Sequence, residues 1–121
     1  MKVIIAGSRH MPSSSAELIP KAITWSGLQI TEVVCGLAKG ADLLGKRWAM
    51  QNQIPVKDFP AQWSLYGRAA GPIRNREMAE YADALIVFIW DNSRGSVNML
   101  SQMRNLDKPT FAIYNGEGQW T

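Results

Sequence analysis

The chain has 121 residues, which suits one domain, because typical domains contain roughly 100–150 residues. Thirteen Lys and Arg against ten Asp and Glu give a net charge of +3, and 46% hydrophobic residues exclude a mainly disordered chain. A lone cysteine, Cys35, excludes an internal disulfide framework, and no apolar run approaches the roughly 20 residues of a membrane span. The N-terminus lacks a signal-peptide pattern, so we expect a soluble, cytoplasmic protein with no membrane partner.

Short runs rich in β-branched and aromatic residues, bounded by Gly, Pro or Asp, predict five strands. They are Val3–Ala6, Ile30–Cys35, Val56–Phe59, Ala84–Trp90 and Thr110–Tyr114. Four helices are predicted between them, the first opening with a capping box at Ser14–Glu17. The other three helices are Ala41–Gln53, Pro72–Tyr81 and Ser96–Leu106. This alternation predicts one α/β domain over residues 1–121, with a five-stranded parallel sheet, helices on both faces and a loosely held tail, 115–121.

Ligands of such sheets bind beyond the carboxyl ends of the strands, at the point where the strand order reverses. Four loops rich in Gly and polar residues follow the first four predicted strands. They are Gly7–His10, Cys35–Asp42, Phe59–Trp63 and Asp91–Ser96. Because all four loops leave the same edge of the sheet, the sequence predicts a binding cleft there.

Two of these loops have the pattern of phosphate-binding turns. Gly36–Gly40 and Ser93–Ser96 each lead into a helix, whose N-terminus offers free N–H groups and the positive end of a dipole. Neither is a G-x-G-x-x-G or Walker motif, and an ordinary glycine turn explains either one alone. Their presence at one edge favours an anionic ligand.

Arginines add to this prediction. Arg68, Arg74, Arg76 and Arg94 cluster near the same loops, and a guanidinium can bind phosphate bidentately. The alternative for Arg74 is a surface ion pair with Glu77 or Glu80. Basic residues are otherwise scattered along the chain, which disfavours a nucleic-acid partner and favours a small anionic ligand.

The chain resembles the SLOG superfamily, and within it the YspA-like branch related to the YpsA proteins. The matching pieces are Gly7-Ser8-Arg9, Gly36-x-Ala38-x-Gly40-Ala41-Asp42, Phe59-Pro60-Ala61-x-Trp63, Tyr66-Gly67-x-x-Ala70-Gly71-Pro72-x-Arg74-Asn75-x-x-Met78 and Ser93-x-Gly95-Ser96. The resemblance spans residues 2 to about 114. It implies a Rossmann-like fold and a nucleotide or nucleotide-derived ligand, bound by a sensor, sequestering or processing module. It also allows a homodimer, since relatives pair through helices.

The superfamily includes the lonely-guy phosphoribohydrolases, which release a base from a nucleoside monophosphate. Arg74-Asn75-x-x-Met78 resembles their Arg-Lys-x-x-Met stretch, which carries a catalytic Arg. Their catalytic Glu corresponds to Met99, and a thioether cannot replace a carboxylate. An N-glycosidic hydrolase is therefore the alternative function, with Arg74, Asp42 and Asp91 as catalytic candidates. A DNA-binding module like the DprA relatives is the third, disfavoured hypothesis.

Twelve positions are predicted to bind ligand through phosphate, charge or base contacts. They are Gly7, Ser8, Arg9, Gly36, Gly40, Asp42, Trp63, Arg74, Asn75, Arg94, Gly95 and Ser96. No cofactor and no metal site are predicted, because one Cys and one His make a zinc site improbable. His10 is a weak acid–base candidate, and Cys35 is expected to be a buried small hydrophobe.

Overall fold

The computed structural model describes residues 1–115 and 117–120, and the side chains of residues 1–115. The strands are β1 Lys2–Gly7, β2 Glu32–Cys35, β3 Val56–Asp58, β4 Ala84–Ile89, β5 Thr110–Tyr114 and β6 Glu117–Trp120. The α-helices are α1 Leu18–Ser26, α2 Ala41–Gln51, α3 Trp63–Tyr66, α4 Ala70–Tyr81 and α5 Arg94–Asn105. Two single-turn 3₁₀ helices, Ser13–Ser15 and Gly67–Ala69, precede α1 and α4.

The strands form one sheet in the order β3-β2-β1-β4-β5-β6. The first five strands of the chain are parallel, which confirms the predicted α/β sheet. The sixth strand was not predicted: Glu117–Trp120 pairs antiparallel with β5. The prediction of a loosely held tail is therefore wrong for 117–120, because backbone pairing with the edge of β5 holds this segment. Gly116 and Thr121 lie outside the described residues.

Alternation along the strands gives the sheet two buried faces. Val3 and Ile5 of β1 belong to the core cluster that contains Ile19 of α1 and Ala49 of α2. Ile4, the residue between them, belongs to the opposite cluster, which contains buried methionines of α4 and α5. All six residues of β4 are buried. This burial on both faces explains the nearly continuous apolar sequence of β4 and produces three layers, helix, sheet and helix.

The start of α1 differs from the prediction. No capping box forms at Ser14–Glu17, because Ser13–Ser15 forms a 3₁₀ turn and the N-cap residue Glu17 makes no capping side-chain hydrogen bond. Pro20 is the third residue of α1. A proline is tolerated in the first turn, where backbone N–H groups have no intrahelical partner.

Candidate functional site

A cleft of about 940 Å³ opens at the carboxyl edge of the sheet, beside β1 and β4. The chain runs outward from β1 in one direction and from β4 in the other, so the strand order reverses between them. This is where open α/β sheets bind ligands. Residues of the turns after β1, β2 and β4, of α3 and of α4 line the cleft.

Most of the twelve residues that were predicted to bind ligand line this cleft. They are Gly7, Arg9, Gly36, Asp42, Trp63, Arg74, Asn75, Arg94, Gly95 and Ser96. Ser8 and Gly40 are not among the lining residues. Ser8 is fully buried, its N–H donates to the carbonyl oxygen of Phe88 at 2.8 Å, and its hydroxyl accepts from the N–H of His10 at 3.1 Å. Its place in the structure therefore indicates that it shapes the turn after β1.

Gly40 brings the second loop against the first. Its φ of +78° belongs to the left-handed region, and a Cβ there would lie 2.3 Å from the carbonyl oxygen of Ser8. The missing side chain lets the N–H of Ala41 donate to that same oxygen at 3.3 Å. Glycine is required here because the two backbones touch at the start of α2.

The buried Asp42 side chain connects the loops after β1 and β2 by hydrogen bonds. The carboxylate is 4% exposed, and it accepts the N–H of Gly7 at 3.1 Å through Oδ1 and the N–H of Ala38 at 3.3 Å through Oδ2. Burial raises the pKa of Asp42 to about 6, although the two N–H donors and the nearby Arg74 guanidinium lower it. Asp42 therefore contributes a hydrogen-bonding anchor at the cleft wall.

Arg74 bridges α4 and the loop after β2. Its Nη1 donates to the carbonyl oxygen of Gly36, and its Nε donates to Oδ1 of Asn75 at 3.0 Å. Burial lowers the pKa of the guanidinium, against the opposing effect of Asp42. A Cβ on Gly36 would lie 2.8 Å from both Arg74 Nη1 and Asp42 Oδ2. The missing side chain of Gly36 therefore leaves room for the Arg74 guanidinium and the Asp42 carboxylate.

Asn75 extends this network to α5. The side chain is 5% exposed, and its Nδ2 donates to the carbonyl oxygen of Gly95 at 3.2 Å and to Oδ1 of Asn98 at 2.9 Å. At the same turn, the hydroxyls of Ser93 and Ser96 lie 3.1 Å apart. One buried amide thus holds Arg74 and the N-terminal turn of α5 in a fixed arrangement.

The cleft concentrates positive charge. Five cationic side chains line it: Arg9, Lys39, Arg68, Arg74 and Arg94. Asp42 is the one carboxylate that lines it among the side chains the structure describes, so the lining carries a net charge of +4 against +3 for the whole chain. Lys39 was not predicted, because a single Lys between two glycines has no pattern of its own.

The prediction that four arginines cluster near these loops is wrong for Arg76. Arg76 is outside the cleft and forms a salt bridge with Glu80 at 3.0 Å on the exposed face of α4. The surface ion pair that was weighed for Arg74 is therefore made by Arg76. Successive residues of a helix differ by about 100° in direction, which separates Arg74 from Arg76.

Apolar side chains complete the cleft. Met78 and Met99 are each 1% exposed and line it, whereas Trp63 is 53% exposed and lines it from α3. Met99, which the resemblance aligned with the catalytic Glu of the phosphoribohydrolases, is therefore a buried residue of the cleft wall. Asp91 is exposed in the turn before α5 and is not a lining residue, and neither is His10.

Cys35 is fully buried at the end of β2, as expected for a small hydrophobe. Burial raises the pKa of its thiol to about 11, which keeps the thiol protonated. Its Sγ accepts the N–H of Leu37 at 3.3 Å and donates to the carbonyl oxygen of Asp42 at 3.5 Å. The thiol thus supports the loop after β2.

Within residues 1–115 and 117–120, no group of three or more His, Cys, Asp or Glu side chains is arranged to hold a metal ion. The described helices are also too short or too polar to cross a membrane.

Residues 1–66, just over half of the chain, match the YspA, cpYpsA-related SLOG family, also called YAcAr. The chain belongs to this family. The matched part contains the turns after β1 and β2, including Asp42, and the short helix α3. A comparison with curated proteins gives no match.

Among solved structures, this SLOG protein is similar to DNA processing protein A (DprA) from Streptococcus pneumoniae, with a TM-score of 0.74 and 23% identity. The alignment covers 93% of the chain and 50% of the DprA chain. This SLOG protein thus spans about half the length of that neighbour. The likeness shows a shared Rossmann-like α/β fold.

Proposed function

We propose that the cleft binds a nucleotide or nucleotide-derived small molecule, as part of a sensing, sequestering or processing module. The observation that carries this proposal is the +4 lining charge at the reversal of the strand order, beside the N-terminus of the twelve-residue helix α5. Membership of the SLOG family and the Rossmann-like fold support a nucleotide-related role. An anionic ligand neutralises this charge at the place where the fold presents free N–H groups.

The phosphate is assigned to the turn at the start of α5. Gly95 has no heavy atom within 4 Å of the position of a Cβ, so a ligand can approach its backbone closely. The Ser96 hydroxyl and the guanidiniums of Arg74 and Arg94 line the same cleft. Arg74 is already oriented by Gly36 and Asn75, so little side-chain entropy is lost when it binds an anion.

The base is assigned to the wall formed by α3. Trp63 exposes half of its surface while lining the cleft, and the end of its ring would lie 3.3 Å from a Cβ on Gly71. An indole that packs against α4 on one side and faces the cleft on the other can stack on a base.

The alternative is hydrolysis of the N-glycosidic bond of a nucleotide. One observation favours it: Asp42 is a cleft carboxyl whose pKa of about 6 suits proton transfer near neutral pH. Met99 argues against it, because no carboxylate stands where the hydrolases have theirs. We expect AMP to bind without release of free adenine. Adenine release that Asp42→Asn abolishes would establish the hydrolase instead.

Calorimetric titration with AMP tests the binding proposal. Arg94 lines the cleft, whereas Arg104 is an exposed residue in the last turn of the same helix, so Arg94→Gln and Arg104→Gln make the same charge change at opposite ends of α5. We expect saturable binding by the wild type, weakened by roughly 1.5–3 kcal/mol in Arg94→Gln, the range for a charge-assisted hydrogen bond. Arg104→Gln should bind as the wild type does. Equal effects of both changes, or no binding, would contradict the proposal.

The same titration separates a small ligand from DNA. A DNA-binding module releases counterions, so its affinity falls steeply with salt and grows with strand length. We expect neither property to dominate, because the positive charge is concentrated in a cleft. Tight, strongly salt-dependent binding of duplex DNA without AMP binding would favour the DNA-binding hypothesis.

A further inference from the structure

A second cavity, of about 310 Å³, lies next to the cleft. Arg9, Met11, Ser13, Gly40, Leu43, Leu44 and Arg47 line it. Arg9 lines both cavities, so the turn after β1 is their common wall. An anionic group near the Arg9 guanidinium can therefore connect one cavity with the other.

At this wall, the backbone of Gly40 lies directly against the backbone of Arg9. Gly40 lines the second cavity, and its missing Cβ would lie 2.9 Å from the carbonyl carbon of Arg9. A side chain at position 40 would therefore collide with the backbone of the turn that carries Arg9. The glycine thus lets α2, which carries Leu43, Leu44 and Arg47, begin directly against the turn that carries Arg9.

The lining of the second cavity suits a nucleoside. Met11, Leu43 and Leu44 give it an apolar surface, and Leu43 is 44% exposed. Arg9 and Arg47 provide its charge, and no Asp or Glu occurs among its lining side chains. The two salt bridges among the described side chains, Lys46–Asp58 and Arg76–Glu80, leave both of these arginines out. Their guanidiniums are therefore available to a ligand.

We propose that the second cavity is a subsite for a second nucleoside, so that the ligand is a dinucleotide whose linking phosphate lies at Arg9. This inference rests on the proposed nucleotide binding in the cleft and extends it. The cleft binds one nucleotide, and Arg9 neutralises the phosphate that links it to the second nucleoside. The apolar surface beside Arg47 binds the base or ribose of that second nucleoside. A mononucleotide leaves the second cavity empty and gains nothing from Arg47.

The test compares AMP with the 5′-phosphorylated linear diadenylate pApA by calorimetry. We expect pApA to bind at least about tenfold more tightly than AMP, near the lower end for one charge-assisted hydrogen bond. Arg47→Gln should remove this advantage and change the affinity for AMP less than about twofold, a limit set by the error of the measurement. Arg9→Gln should weaken pApA more than AMP, because only pApA has a linking phosphate. Arg104→Gln is the matched control, and it should change neither affinity.

Arg47→Gln should not disturb the fold, because the residue is exposed on α2 and glutamine favours helices. Equal melting temperatures of the variant and the wild type check this. AMP binding without a gain for pApA, or an equal loss of both ligands in Arg47→Gln, would overturn the second subsite alone. Absence of AMP binding would contradict the proposed function itself. A twelve-nucleotide adenylate that binds much more tightly than pApA would replace the dinucleotide with a nucleic-acid strand.

Discussion

The side-chain amide of Asn75 donates to the carbonyl oxygen of Gly95 at 3.2 Å, across the gap between α4 and the first turn of α5. The same side chain accepts the Nε–H of Arg74 at 3.0 Å through its oxygen. One buried residue therefore sets both the direction of a cleft guanidinium and the position of a candidate phosphate-binding turn. This relationship predicts that the stability of the fold and ligand affinity depend jointly on Asn75.

Asn75→Ala should lower the free energy of unfolding by about 1–3 kcal/mol, because it removes three part-buried hydrogen bonds, to Arg74, Gly95 and Asn98. Its AMP affinity should also fall, since Arg74 loses its orienting partner. Asn105→Ala is the control, an exposed substitution at the end of α5 that should stay within about 0.5 kcal/mol of the wild type. Denaturant unfolding of both variants measures the difference. Similar small losses in both would show that the network is weak.

Asp42 makes stability depend on pH. Burial raises its folded-state pKa from 3.8 to about 6, so the folded protein takes up a proton before the unfolded chain does. The wild type should therefore gain stability relative to Asp42→Asn as the pH falls from 7 to 4. The gain is at most about 3 kcal/mol, since one pKa unit corresponds to about 1.36 kcal/mol.

The test measures the free energy of unfolding of the wild type and of Asp42→Asn from pH 4 to pH 8. The difference between the two proteins cancels the contributions of the other titratable groups, which both proteins share. Asp42 then contributes its full stabilisation below its unfolded-state pKa of 3.8 and loses it as the pH rises through 6. A difference that grows with pH in favour of the wild type would mean that Arg74 lowers the pKa more than burial raises it.

Two glycines of the cleft should respond differently to alanine. Gly36→Ala places a methyl group 2.8 Å from Arg74 Nη1 and Asp42 Oδ2, so it should cost about 1–3 kcal/mol of stability, as overpacking does. Gly95→Ala meets nothing within 4 Å and should keep or slightly raise stability while weakening AMP binding. Thermal unfolding and calorimetry of both variants measure these effects. Unchanged AMP binding by Gly95→Ala would contradict the assignment of the phosphate to the α5 turn.

The core of the fold was predictable because its strands are buried on both faces. The apolar runs of β1 and β4 can be recognised as strands from the sequence alone. The polar segment Glu117–Trp120 carries no such signal, and its strand exists through pairing with β5. The four-residue helix Trp63–Tyr66 is also too short to show helical periodicity.

The position of the cleft was predictable at the level of loops and less so at the level of side chains, and its role in binding stays a prediction. Glycine turns at strand ends located the cleft, since topology alone brings them to one edge. Sequence spacing could not tell that Asp42 points inward to two backbone N–H groups, nor that Arg76 lies on the far face of α4 from Arg74. Those outcomes depend on how α2 and α4 are rotated against the sheet. Cytoplasmic location and homodimer formation stay predictions.

The most direct test of nucleotide binding in the cleft is a titration of ¹⁵N-labelled protein with AMP, followed by amide chemical shifts. We expect saturable shifts concentrated in residues 7–10, 36–42 and 93–96, because these turns meet at the cleft between β1 and β4. The turns at the opposite edge of the sheet serve as the internal reference and should not move. The absence of saturable shifts, or shifts confined to that opposite edge, would contradict the account.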